Sequence, residues 1–443
     1  MAKNLRSRLQ RIREQDRKPR PAAPAPGGEP PDEPRCTGDS SPEVPGPLRD
    51  EGWEPAGFKT LKRTVTAELP IALIHPFPDN LPILVPDFFG TGRPAADIAP
   101  ESLLFFDLET TGLSGGAGTM AFLAAFGRFE RPKSRASRRG SSAGEYRLRI
   151  DQYLLLDYPG ECDFLEVVLG EFTASPELPL MVSYNGKTFD SQILRTRCLM
   201  NGMRQPVCLH ADLLHPVRRL WRPVLASCSQ GEIERFVLGI ERKDDMPGAM
   251  APEIWFDFLR TGETQALSGI CDHNIHDIRG LASIFAALVS IAENPLDREP
   301  RFRYDAESLA IHWRRTLSRV FPKGQMPPAA ADLGTRILES AAARNRPRAL
   351  HILGRTALKN GDSGEGRDML ESLAESGHPP GVRALALRDL AVDAEWRLKD
   401  RPRALAYTDR ALALEGLNGR LRSELSFRRD RLLKYLEEKG TKP

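Results

Sequence analysis

The stretch from Leu103 to Gly118, LLFFDLETTGLSGGAG, constrains this chain more than any other. Four apolar residues, Leu103, Leu104, Phe105 and Phe106, run without a break into Asp107 and then a Gly-rich turn, the pattern of a short strand buried on both faces. Side chains alternate along a strand, so Asp107 and Glu109 face one side and Leu108 the other. An Asp-x-Glu pair alone would be an ordinary solvated strand end. Here the hydrophobic run pins both acids at the lip of a core, where two like charges cost free energy unless a cation or a positive partner compensates. Two carboxylates so placed can share a divalent cation.

At 443 residues and 40% hydrophobic content, the chain can bury a sizeable core in two or three domains. Lys plus Arg number 63 against 60 for Asp plus Glu, and so small an excess does not identify a partner. Six cysteines lack CxxC spacing, so a zinc site is not expected and reduced thiols are. No run of about 18 apolar residues and no signal-peptide core are visible, so the expectation is a cytoplasmic protein with no membrane partner.

Residues 1–50 open with eight Lys or Arg and two acids as far as Arg20, then turn rich in Pro, Gly and Glu, the composition of a disordered tail. Such a tail could attract phosphates or merely solubilise, and both readings stay open. Residues 51–100 form a lead-in segment packed on the core, with short β-like runs at Ile71 to Ile74 and Leu81 to Val85 broken by prolines.

Residues 101–295 form the α/β part. After the acidic strand, Thr119 to Phe129 and Tyr146 to Leu156 complete an antiparallel meander. A helix over Glu161 to Phe172 and a strand over Leu178 to Ser183 follow. That strand runs into YNGKTFD, which turns the chain into a helix opening with Asp190; an acid in a first turn is favoured by the helix dipole alone. A short strand at Val207 to Leu209 comes next. SQGEIERFVLG has the form of a capping box, Ser229 with Glu232, ahead of a helix stopped at Gly239. A long helix over Thr264 to Ile291 places His273 and Asp277, four apart, on one face. From about Arg301 to the end the pattern is helical, and Ala404 with Ala411 keep a spacing typical of tetratricopeptide-like units.

Taken in order, Asp-x-Glu on a strand, Asn-x-x-x-Phe-Asp opening a helix and His-Asn-x-x-Asp on a late helix resemble the three motifs of the DEDD (DnaQ-like) exonuclease superfamily. The resemblance is closer to its YprB-type ribonuclease H-like family, through DLETTGLSGGAG, SYNGKTFD, ADLLHPVRRLW, SCSQGEIERFVLG and CDHNIHD. It implies a ribonuclease H-like mixed sheet flanked by helices, followed here by an all-α tetratricopeptide-like domain over residues 301–443. It also implies that Asp107, Glu109, Asp190 and Asp277 are metal ligands and that His273 is the general base. Thr110, Leu113, Asn185 and Phe189 would line the substrate groove. His276, beside Asp277, has no assigned role.

Those residue types suit phosphodiester hydrolysis, which needs an activated water, dispersed charge and a stabilised leaving oxygen. Two divalent ions roughly 3.5 to 4 Å apart can supply all three. Hard magnesium or manganese ions prefer oxygen ligands, and an imidazole with an ordinary pKa of about 6.5 can take the water's proton. The expected function is metal-dependent 3′ to 5′ exonuclease action on single-stranded DNA or RNA, with endonucleolytic cutting left open; the C-terminal helices could dock a protein partner, guide nucleic acid or simply cap the core. The alternative is a nucleic-acid-binding adaptor whose nuclease domain cuts weakly or not at all.

Overall fold

The computed structural model describes residues 43–112, 118–131, 146–174, 178–242, 245–321, 326–360 and 363–440. The basic tail falls outside them, apart from its last residues. Seven strands form one mixed sheet: β1 (Glu54–Gly57), β2 (Thr60–Ala67), β3 (Leu103–Thr110), β4 (Ala121–Glu130), β5 (Arg147–Leu155), β6 (Leu180–Ser183) and β7 (Leu209–Asp212), in the order β1-β2-β5-β4-β3-β6-β7. β3, β4 and β5 are the expected antiparallel meander, and β6 and β7 continue it as parallel strands.

Helices of eight residues or more are α1 (Glu161–Thr173), α2 (Asp190–Met200), α3 (Leu214–Trp221), α4 (Ala251–Thr261) and α5 (Gln265–Glu293), then α6 (Ala306–Val320), α7 (Pro328–Ala343), α8 (Pro347–Asn360), α9 (Ser363–Glu375), α10 (Pro380–Trp396), α11 (Arg401–Leu412) and α12 (Gly419–Gly440). The first five accompany the sheet, and the rest form a helix-rich C-terminal region.

The apolar run of β3 is buried as its sequence requires, with Leu103 to Phe106 almost wholly covered. Its alternation divides two cores. Leu103 and Phe105 join the cluster that contains the second half of α5, whereas Leu104, Phe106 and Leu108 join the cluster containing α1 and α4. α5 is long and apolar enough to cross a membrane by length and composition, but 78% of its most apolar window is buried inside the protein, which accounts for its hydropathy.

Several local expectations fail, among them the strand over Val207 to Leu209, which forms instead over Leu209–Asp212. Leu81–Leu84 is a short helix, because Pro82 suits a first helical turn, and no strand forms over 71–74. The lead-in strands are β1 and β2 instead; β2 is largely polar, so its burial pattern is not visible as an apolar run. Ser229 does occupy a helix N-cap, but its side chain makes no capping hydrogen bond. Gly239 ends that segment in the left-handed region, as expected. Cys198, Cys208, Cys228 and Cys271 are free thiols, whereas Cys162 is disulfide-bonded.

Candidate metal centre

Strand register places the first acid. Arg63 on β2 pairs with Gln152 on β5, Gln152 with Ala125 on β4, and Ala125 with Asp107 on β3, so the four stand in one row on one face. The small Ala125 leaves space above the row, and buried Asn274 from α5 fills it. Its amide donates to Asp107 Oδ2 at 2.8 Å and accepts from Gln152 Nε2 at 3.0 Å. Arg63 in turn donates to Gln152 Oε1 through Nε and Nη2. This buried relay orients the Asp107 carboxylate. Two residues on, Glu109 lies on the same face, and the register slips between Glu109 and Thr110, an irregularity of the kind that re-aims side chains at strand ends.

The second acid depends on a turn. Asn185 has φ 67°. Gly186 then passes so close to its neighbours that an added Cβ would stand 2.5 Å from Ser183 Oγ and 3.0 Å from Asp190 Oδ2. Buried Asp212, at the end of β7, holds this turn by accepting from the backbone N–H of Asn185 at 2.8 Å and of Lys187 at 3.2 Å. Asp190 then opens α2 as expected, but it is almost fully buried. Desolvation, with repulsion from Asp212 and Asp277, pushes its carboxyl up to about 7, so these effects outweigh the backbone hydrogen bond that favours its ionised form.

α5 brings the last group. His273 Nδ1 lies 2.8 Å from Asp245 Oδ1, and its Nε2 lies 3.3 Å from Asp277 Oδ2. Ligand atoms of Glu109, His273 and Asp277 all fall within 4.8 Å of one another, close enough to hold one metal ion. The other oxygen of Asp277 accepts from Arg242 Nη2 at 2.6 Å; the same guanidinium binds buried Glu234 and Asp245. Glu234 reaches this position because residue 280 of α5 is Gly, where a Cβ would collide with its Oε1.

Among the described residues, Glu109, His273 and Asp277 thus form the group that could hold one ion, while Asp107 and Asp190 are not in that group but lie near enough to feel the charge of Asp277. The carboxyls of Asp107 and Glu109 are held well above the usual range, by desolvation first and then by repulsion from Asp277 and Asp190. Among the described residues no cation contacts Asp107, Glu109 or Asp190. A set of hard oxygen donors short of positive charge fits a divalent cation such as magnesium or manganese.

The expected groove residues are placed less uniformly. Thr110 is buried and its hydroxyl donates to the Gly112 carbonyl. Asn185 is exposed and accepts from the Thr188 hydroxyl, and Phe189 is half-buried. Leu113 lies outside the described residues. His276 Nδ1 stands 3.4 Å from Asp245 Oδ1, on the rim of the same cluster. Asp245, Arg242, Asn274, Gln152 and Asp212 were not singled out from sequence. Asn274 and Asp212 do sit inside the motifs CDHNIHD and ADLLHP, which was the available signal. Asp245 and Arg242 lie outside regular helix and strand, with no periodicity to betray them.

Part of the chain is similar to known proteins. A protein of Bacillus subtilis (strain 168) described as "Uncharacterized protein YprB" is 37% identical over 189 residues, which are 42% of this chain and 41% of that protein. The chain thus aligns with about two fifths of its relative's length. The family model of the ribonuclease H superfamily matches residues 104–289, from the acidic strand almost to the end of the long helix, so this part of the chain is a ribonuclease H-like domain.

Proposed function

We propose that the chain is a divalent-metal-dependent nuclease of the DEDD type that releases nucleotides from the 3′ end of single-stranded nucleic acid. The observation that carries this reading is that Asp107, Glu109, Asp190 and Asp277, from three separated segments, lie near enough to feel one another's charge, with Glu109 and Asp277 beside a histidine already held by its own carboxylate. Those acids would hold a pair of hard cations, which would make an attacking water more acidic and stabilise charge on the phosphate oxygens.

The protein's own groups do the rest. Asp245 accepts a hydrogen bond from His273 Nδ1–H, which leaves Nε2, 3.3 Å from Asp277 Oδ2, to accept a proton in this reading rather than to hold the metal. Nε2 takes the proton of the attacking water, and the carboxylates of Asp245 and Asp277 flank the imidazolium that forms. The relay from Arg63 through Gln152 and Asn274 keeps Asp107 in one rotamer throughout.

Purified protein incubated with end-labelled DNA and RNA, single and double stranded and linear and circular, is expected to give a one-nucleotide ladder from single-stranded 3′ ends. The ladder should need magnesium or manganese ions and vanish in Asp107→Ala. Full manganese-supported activity in that variant would end the proposal.

The adaptor reading keeps one observation in its favour, the Arg242 guanidinium on Asp277, which competes for a ligand oxygen. Nucleic-acid binding without turnover in any divalent ion would select it. In that case the C-terminal helices, read as tetratricopeptide-like, would be the working part.

A further inference from the structure

We infer that a cationic cleft between the ribonuclease H-like domain and α6 carries the phosphodiester backbone of the nucleic acid beside the metal centre. The inference rests on the nuclease reading for its choice of occupant. The cleft has a volume of about 910 Å³, and Lys187, Arg219, Arg315, Arg319 and Arg348 line it. Asp87 is its one acidic lining residue and is already paired with Lys187.

Three of these solvent-facing cations lack the acidic partners that arginines elsewhere in the chain have. Among the described residues Arg219, Arg315 and Arg319 have no carboxylate within ion-pair distance, although many arginines further along the chain do, as Arg367, Arg403, Arg428 and Arg431 show. Arg315 and Arg319 are four apart on α6 and so face the same way, a spacing at which like charges oppose the helix. Arg219 comes from α3, and its guanidinium sits below the usual arginine range through desolvation, with Arg319 and Arg315 adding repulsion against the pull of Asp87. Converging like charges cost free energy that a polyanion offsets.

Arginine forks bind phosphate and carboxylate oxygens alike, and two other features favour nucleic acid over an acidic peptide. Half-buried Phe89 lines the same cleft and packs edge-on to Phe321, offering a ring on which an unpaired base can stack. Lys187 belongs to the turn that carries Asp190, three residues later, so the cleft and the metal centre are two sides of one turn.

The test uses full-length protein in EDTA, so that nothing is cut. Fluorescence anisotropy would follow labelled oligo-dT and oligo-U of about 20 nucleotides across a salt series, with poly-glutamate as competitor. The double substitution Arg315→Glu with Arg319→Glu is expected to weaken binding at least about tenfold and to flatten the salt dependence by between one and two counterions. Arg315→Gln with Arg319→Gln should flatten it equally with a smaller loss. Both side chains are exposed, and thermal melting would verify that each variant folds. Wild-type affinity and slope in folded variants would overturn the cleft, as would no binding by the wild type or a site that takes poly-glutamate but not the oligonucleotides. A cleft that passes while no substrate is cut in any divalent ion would sink the nuclease reading alone; cutting with variant-insensitive binding would sink the cleft alone.

Discussion

Asp190 shows at the scale of one residue what burying a carboxyl in this cluster costs. A carboxyl whose folded pKa is raised favours the fold while it is protonated. Its contribution is complete below the unfolded value and is lost as pH rises through the folded one, about 7 here. Asp107 and Glu109 shift in the same direction and for the same first reason, desolvation. In EDTA, Asp190→Asn is therefore expected to gain melting temperature relative to the wild type as pH rises from about 4 to 8, on top of an opposite drift from buried His210 and His312, whose pKa values lie near 4. Added manganese should raise the melting temperature more at the alkaline end, where the ligands are ionised. A wild type and Asp190→Asn with parallel pH profiles in EDTA would contradict the burial argument.

At the scale of an element, the turn from Tyr184 to Asp190 is positioned by a residue outside it. Asp212 accepts from two of its backbone N–H groups and from that of Leu214, so one carboxylate joins β7, the turn and the approach to α3. Removing it in Asp212→Ala leaves those donors unmet. Bonds to a charged acceptor are worth about 1.5 to 3 kcal/mol, so a stability loss of that order is expected by chemical denaturation. Manganese-dependent turnover should fall with it, because Asp190 sits on the far end of the turn. Asp212→Asn, which keeps one acceptor oxygen, should recover part of both. Unchanged turnover in a destabilised Asp212→Ala would show that the turn holds its shape without this anchor.

Across the whole molecule, the change of composition near Arg301 does not coincide with the end of the core. Phe302, Leu309, Trp313, Leu317, Ile337 and Leu338 belong to the same buried cluster as Phe105 and Phe285, and the separate cluster begins only at Leu358. Trp221 Nε1 donates to the Phe302 carbonyl, and the Asp305 N–H to the Leu220 carbonyl. A chain ended at Asn294 should therefore lose solubility or melt far below one ended at Asn360, which keeps α6, α7 and α8. Equal melting temperatures for the two would mean that the shared cluster contributes little.

The strand of acids, the three-stranded meander and the helix bearing His273 and Asp277 were legible in the chain, because burial on two faces and a four-residue helical spacing are local patterns. Local pattern also misled: Ser229 and Glu232 have capping-box spacing without the bond, and Pro82 turned an apolar run into a helix. Which polar groups would meet was decided only by the fold. Gln152 reaches Asn274 through strand register, Arg242 finds Asp277 from a segment without periodicity, and Arg219 faces Arg315 because α3 packs against α6. Spacing along a chain fixes only neighbours within a few residues, whereas burial and charge pairing act between atoms that the closed structure alone brings within a few ångströms.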